Sequence, residues 1–232
     1  LYILHILVFL SCYFNSPKLC AYLLKISLFK QKSLKKKFNN KKVILVLYRA
    51  IGERDIRIIQ DASNKIPRVF FIRRTIVKLI FYYFSGKKKI FFNYLKPGLS
   101  FNEEDYFNQS KKNKVRLEKF WTDVIFNLKR HFKNKILNLV TFNINYYAEI
   151  SLYASCKRNG VPVKLWYKEC FRSPPEVDHL INSNRYNHVL KFFEKISVYN
   201  KFMKDCLTVI NGSNTKKISI NGCPRKNDYI NK

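Results

Sequence analysis

From Lys41 onward, short apolar runs alternate with stretches whose apolar residues recur every three or four positions. Val43 to Tyr48 (VILVLY) is continuous in apolar character and of strand length, as expected of a strand covered on both faces. The next stretch carries Ile56, Ile59, Ala62 and Ile66 at helical spacing and stops at Pro67. Val69 to Ile72 predicts a second strand, Ile76 to Phe84 a short helix closed by Ser85-Gly86, and Lys89 to Asn93 a third strand. Tyr94 to Lys112 is polar, with Pro97-Gly98 at its head and Glu103-Glu104-Asp105 in its middle, and reads as a long connection or lid. An amphipathic helix follows, with Leu117, Phe120, Trp121, Val124, Ile125, Leu128 and Phe132 on one stripe. Aromatic residues at that spacing belong to a core far more often than to a cofactor site.

Ile136 to Phe142 predicts the fourth strand, and a helix from about Tyr146 to Asn159 follows it, with Asn145 as N-cap and Asn159-Gly160 as stop. Val161 to Tyr167 is the fifth strand, and after the loop Lys168 to Pro175 a helical stretch, with a break around Asn182 to Asn187, reaches about Phe193. Ile196 to Tyr199 is the sixth strand. A helix bearing Phe202, Met203, Cys206, Leu207 and Ile210 on one face leads to the seventh, Lys217 to Asn221. This alternation predicts a doubly wound, mainly parallel Rossmann-like α/β sheet of about seven strands, because parallel neighbours need crossover connections. The domain is expected over residues 41–225. Residues 1–40 form an apolar and basic helical segment before it, and residues 226–232 begin a linker.

Composition narrows the class. With 47% hydrophobic residues, 26% charged, 7 Pro and 6 Gly, the 232-residue chain is neither disordered nor collagen-like and is long enough to bury a sizeable core. Lys and Arg number 45 against 15 Asp and Glu, a net charge of +30, which suits polyanionic partners or an anionic membrane surface. The joint enrichment of Lys with Asn, Ile, Phe and Tyr is also what an AT-biased coding sequence produces, so clustering matters more than the total. The lysine runs at 35–37, 41–42, 87–89, 111–112 and 216–217 are dispersed, mostly ahead of strand-like stretches, as solvated loops would be.

Two further features bear on location. The six cysteines form no CxxC pair and have no zinc-like spacing with His, which points to a reduced, cytoplasmic chain. The opening LYILHILVFLSCYF is about fourteen residues of mostly apolar character, short of the roughly twenty that a spanning helix needs. It breaks at Asn15-Ser16-Pro17, without the basic lead or cleavage site of a signal peptide. Residues 18–37 interleave Leu and Phe with Lys, a pattern that fits either an anionic membrane surface or a helix covering the edge of the domain.

In an open parallel sheet, ligands bind at the carboxyl ends of the strands. That rule selects Arg49 to Asp55 after the first strand, where Gly52 permits a tight turn beside Glu53 and Arg54 and a helix N-terminus can hold an anion. Neither GxGxxG nor GxxxxGK[ST] is present. After the fourth strand stand Asn143, Asn145 and Tyr146, followed by Tyr147 to Glu149, which can hydrogen-bond a polyhydroxylated ligand; capping by Asn145 and packing of the tyrosines is the rival. After the fifth come Lys168, Glu169 and Arg172, with Glu169 placed to act as a general base or to bind sugar hydroxyls, and a loop ion pair as the rival. Asn200, closing the sixth strand, completes the candidate binding set. His5, His131, His179 and His188 lie outside these loops, and Cys170, with no His partner, is expected to be an inert thiol. No metal or organic cofactor is expected.

Residues 139–228 carry a resemblance. The runs LVTFNINYYAEISLYASCKRNGVPVKLWYKECFRSP and ISVYNKFMKDCLTVINGSNTKKISINGCPRKNDY resemble the second half of the N-terminal domain of GT-B-fold enzymes. That group includes nucleotide-sugar glycosyltransferases, sugar-nucleotide 2-epimerases and polymer transferases of bacterial surface-polysaccharide and capsule pathways. The epimerase pattern GDTxS, then GIPVxHVEAGLRS, is matched at Gly160-Val161-Pro162-Val163, Glu169 and Arg172, but Thr141 to Tyr146 lacks the GDT, which argues against a 2-epimerase.

The resemblance implies the acceptor-side half of a glycosyltransferase, cytoplasmic and peripheral at the inner membrane face. Glu169 would be its catalytic base, a glycan or lipid-linked molecule its acceptor, and a nucleotide sugar its donor, held mostly by a C-terminal domain. It also implies a fragment, inactive by itself. The alternatives are an epimerase-like protein of the same fold and a basic nucleic-acid-binding module, the latter disfavoured by the dispersed charge.

Overall fold

The computed structural model of the chain describes residues 2–30, 42–48, 68–86, 109–142, 144, 147–167, 187–210 and 215–222. The fold is α/β: a mainly parallel sheet with helices, the doubly wound Rossmann-like arrangement, in which six strands are joined at one edge by a two-residue seventh. The strands are β1 (Phe29–Lys30), β2 (Val43–Leu47), β3 (Arg68–Ile72), β4 (Ile136–Thr141), β5 (Val163–Trp166), β6 (Phe193–Val198) and β7 (Ile218–Ile220). Their order across the sheet is β1-β3-β2-β4-β5-β6-β7, with the two-residue β1 at the edge. The pairs β4–β5, β5–β6 and β6–β7 are parallel, with Thr141 opposite Leu165, Trp166 opposite Ser197 and Val198 opposite Ile220. The helices are α1 (Tyr2–Tyr13), α2 (Pro17–Ser27), α3 (Arg74–Phe84), α4 (Lys111–His131), α5 (Ile150–Arg158), α6 (Asn187–Leu190) and α7 (Lys201–Ile210).

The chain divides into two compact units. One comprises Leu1–Phe29, Phe71–Ile136 and Tyr146–Val161 and is helical. In it α4 packs on α2 and α5, and α1 packs on α2 and α3. The stripe read along α4 is its buried face: Leu117, Phe120, Trp121, Val124, Ile125 and Leu128 are all inside, while Phe132 is half-buried just past the helix end. Ser110 starts this helix by accepting a hydrogen bond from the Asn113 amide at 3.2 Å. Its last turn carries Lys129, Arg130 and His131, which suits the negative end of the helix dipole.

Small residues let α5 sink against α4. Every residue from Ile150 to Cys156 is buried, and Ser155 is satisfied among them: its hydroxyl donates to the Ser151 carbonyl at 2.7 Å and accepts from the Thr122 hydroxyl at 3.2 Å. The predicted stop at Asn159-Gly160 has a defined geometry. Gly160 adopts φ +64, its amide donates to the Lys157 carbonyl at 3.1 Å, and the Val161 amide donates to the Cys156 carbonyl at 2.8 Å. These are the two bonds of a Schellman motif, which left-handed glycine allows at little steric cost. Asn159 ties the two helices together, its side-chain amide donating to the Thr122 and Ser155 carbonyls at 3.0 Å each. The break at Asn15-Ser16-Pro17 has the same form: Asn15 takes φ 46, the Ser16 amide donates to the Ser11 carbonyl at 2.7 Å, and Pro17 opens α2.

The other unit, Lys30–Phe70, Leu137–Asn145 and Pro162–Lys232, contains most of the sheet together with α6 and α7. Several boundaries differ from expectation, for identifiable reasons. The helical stretch expected to reach Phe193 ends as the short α6 at Leu190, and β6 begins at Phe193, which is buried and paired with Val163. Strand pairing from β5 overrides the local helical pattern there. β5 starts at Val163 rather than Val161, because Val161 completes the α5 cap and Pro162, having no amide to donate, supplies its carbonyl to the Leu139 amide at 2.9 Å. The helix expected from Tyr146 opens as a 3-10 turn, Tyr147–Glu149, before α5. The predicted helix over residues 56–66, the strand Lys89 to Asn93 and most of the polar connection, residues 94–108, lie outside the described residues.

Candidate functional site

The strand order decides where a ligand can sit. From β2 the chain steps to β3 on one side, and then crosses back to β4 on the other. The order therefore reverses between β2 and β4, and the crevice outside their carboxyl ends is the topological switch point of the sheet. Counted from there, β2, β4 and β5 are consecutive strands, so the ends at Leu47, Thr141 and Trp166 follow one another along a single edge. With neighbouring strands about 4.8 Å apart, the three origins span about 10 Å. The three loops selected by the strand-end rule leave the sheet from these origins.

Of the candidate residues themselves, Gly52, Glu53, Arg54, Asn143, Asn145, Tyr146, Lys168, Glu169 and Arg172 lie outside the described residues. Asn200 is described. Its side-chain oxygen accepts a hydrogen bond from the Met203 amide at 2.9 Å, which makes it the N-cap of α7. That oxygen is committed to the helix start.

The edge also has an aromatic component that was not singled out from the sequence. Phe142, just past β4, and Trp166, the last residue of β5, stack with ring centroids 6.3 Å apart and an interplanar angle of 29°. Phe142 is buried and Trp166 half-buried, and the indole Nε1 is a buried donor that has no hydrogen-bond partner among the described residues. Trp166 stands within the family-like run WYKECFRS, where its charged neighbours drew attention first. On the far side, the Tyr167 amide donates to the Ser197 carbonyl at 2.8 Å, and the Asn221 side chain donates to the Ser197 hydroxyl at 3.2 Å.

Glu149, the carboxylate of the loop after β4, belongs to the helical unit and is spoken for. Arg74 Nε donates to its Oε1 at 2.6 Å and the Tyr153 hydroxyl donates to its Oε2 at 2.5 Å, with Glu149 only 2% exposed. A carboxylate held through both oxygens is a structural anchor for the start of α5. The buried thiols are similarly unreactive: burial pushes Cys20 up to about 12 and raises Cys12, Cys156 and Cys206 as well, which suppresses the thiolate. Among the described residues, no group of three or more His, Cys, Asp or Glu side chains could hold a metal ion. No protein-family model, curated protein or solved structure matches the chain.

Proposed function

We propose that the chain is the acceptor-binding domain of a GT-B-like glycosyltransferase of surface-polysaccharide biosynthesis, working at the cytoplasmic face of a membrane. The observation that carries this reading is the strand order, which lines up the carboxyl ends of β2, β4 and β5 beside the switch point. Loops rich in amides, phenols and paired charges leave from those ends, and such groups recognise hydroxyl-rich ligands. Beside them stands the half-buried Trp166, stacked on the buried Phe142.

In this reading Glu169 accepts the proton of an acceptor hydroxyl as its oxygen bonds to the anomeric carbon of a nucleotide sugar. The bond from that carbon to the diphosphate breaks, and the nucleoside diphosphate leaves with the electron pair. Arg172 and Lys168 bind anionic groups of the acceptor.

The test is calorimetric titration of the chain with polymeric and lipid-linked glycans, with nucleotide sugars, and with single-stranded RNA, repeated for Arg172→Ala, Trp166→Phe and Glu169→Gln. Glycan binding that weakens about tenfold in Arg172→Ala upholds the proposal, a factor equivalent to about 1.4 kcal/mol. Tight, steeply salt-dependent RNA binding without any response to glycans would replace it with the nucleic-acid module. Turnover of a UDP-sugar to its 2-epimer would replace it with the epimerase.

A further inference from the structure

We infer that the outer face of the α1–α2 pair is a docking surface for an anionic lipid bilayer. The inference is independent of the transferase reading, since it rests on the helical unit alone. Helix α1 contains no charged residue. It buries Val8 and Cys12 on one side, as a core helix should, yet Ile3 is 74% exposed on the other, together with Ile6, Leu10 and Tyr13. At 100° per residue these four share one stripe, and Phe14, 69% exposed in the turn that follows, continues it. A helix facing water carries polar residues outward, whereas one that is apolar all round is covered.

Helix α2 extends the surface and changes its character. Leu19, Tyr22 and Ile26 form its exposed stripe, and the exposed Lys18 and Lys25 flank them. The Tyr22 ring lies 6.3 Å from that of His131, which sets the basic last turn of α4 beside this face. Apolar residues edged by tyrosine and lysine are the pattern of a helix lying in the headgroup region. With Val8 and Cys12 packed inward on the helical unit, α1 offers a bilayer only its opposite side and so lies in the plane of the headgroups. Among the described residues, no helix is long and apolar enough to cross a membrane.

Charge selects the occupant. The first 52 residues contain nine lysines and Arg49 but neither Asp nor Glu, the first acid being Glu53. A second copy of the chain would set two α1–α2 faces against each other, each with Lys18 and Lys25 and with no Asp or Glu in either helix. An anionic leaflet offers both a hydrocarbon layer for Ile3, Ile6 and Leu10 and negative headgroups for Lys18, Lys25 and Arg130.

The experiment is co-sedimentation of the full chain with phosphatidylcholine vesicles prepared with and without phosphatidylglycerol, for the wild type and two double variants. The expected result is binding to the phosphatidylglycerol vesicles only, weakened by salt and reduced at least tenfold by Ile3→Asp/Leu10→Asp and again by Lys18→Glu/Lys25→Glu. The lysine pair lies away from the core, so its result stands even if the first variant misfolds on circular dichroism. Equal binding to both vesicle types, wild-type binding by the lysine variant, or a dimer in light scattering that Ile3→Asp/Leu10→Asp splits would each overturn the inference.

Discussion

Helices α1 and α4 belong to the same unit, and both pack against α2, yet they present opposite outer faces. α4 buries a stripe from Leu117 to Leu128 and turns Lys111, Lys112, Arg116 and Lys119 outward. α1 buries Val8 and Cys12 and turns Ile3, Ile6 and Leu10 outward. Both helices pack on α2, so that packing does not distinguish them. The difference lies in what each helix does with its remaining surface, and that is where a functional constraint shows, because folding alone asks only for solubility there.

The sharpest break of this comparison is on the buried side. Trp121→Ala removes a side chain that is almost fully buried in α4 and should cost about 4 kcal/mol, read as a loss of folded protein or a large fall in the denaturation midpoint. The same truncation at the exposed Phe126 should shift stability by less than about 0.5 kcal/mol. Ile3→Asp on α1 should resemble Phe126→Ala in stability while weakening vesicle binding; a destabilisation as large as that of Trp121→Ala would mean that α1's outer face is covered by the folded chain itself.

Next in size is Glu149→Ala, which leaves the Arg74 guanidinium, itself only 18% exposed, without the carboxylate at 2.6 Å, and should cost about 3 kcal/mol by urea unfolding. Gly160→Ala comes third. A Cβ there would meet nothing within 4 Å, so the penalty is the left-handed conformation alone, about 1 kcal/mol. An unchanged melting temperature for Gly160→Ala would remove the Schellman motif from the account of where α5 stops.

The smallest effect is a pH dependence in α1. His5 is buried, and burial, with Arg73 adding to it, lowers its pKa below the ordinary 6.5. The folded chain therefore holds this imidazole neutral where the unfolded chain protonates it. Stability is fully present above 6.5 and is lost as the pH falls from there through the lowered folded value. Melting curves across that window should show the decline, and His5→Asn should flatten it. A decline that persists in His5→Asn would assign the effect to other groups.

Much of the architecture was legible in the order of residues. VILVLY, ILNLVTF and the α4 stripe each declare their element because hydrophobic period is a local property, readable without knowing any neighbour. Caps were equally readable at Asn15-Ser16-Pro17 and Asn159-Gly160, since the left-handed turn is made by the residues that stand there. Asn200 was legible only in part: its place at a strand end was right, but its bond to the Met203 amide depends on where α7 begins. Phe193 was misassigned for the same reason, as only its pairing with Val163 makes it strand.

The sequence by itself determined that this protein is an alternating α/β chain with a strongly basic, acid-free leading segment, because periodicity and charge are sums over neighbours in the chain. Tertiary structure alone decided which strands adjoin, and so where the order reverses between β2 and β4. It also decided that Glu149 is held by Arg74 from 75 residues away, and that one side of α1 is left uncovered by the described residues. Each of these depends on contacts between segments distant in sequence, whose partners are selected by the packing of the whole sheet and its helices and leave no periodic trace in either segment.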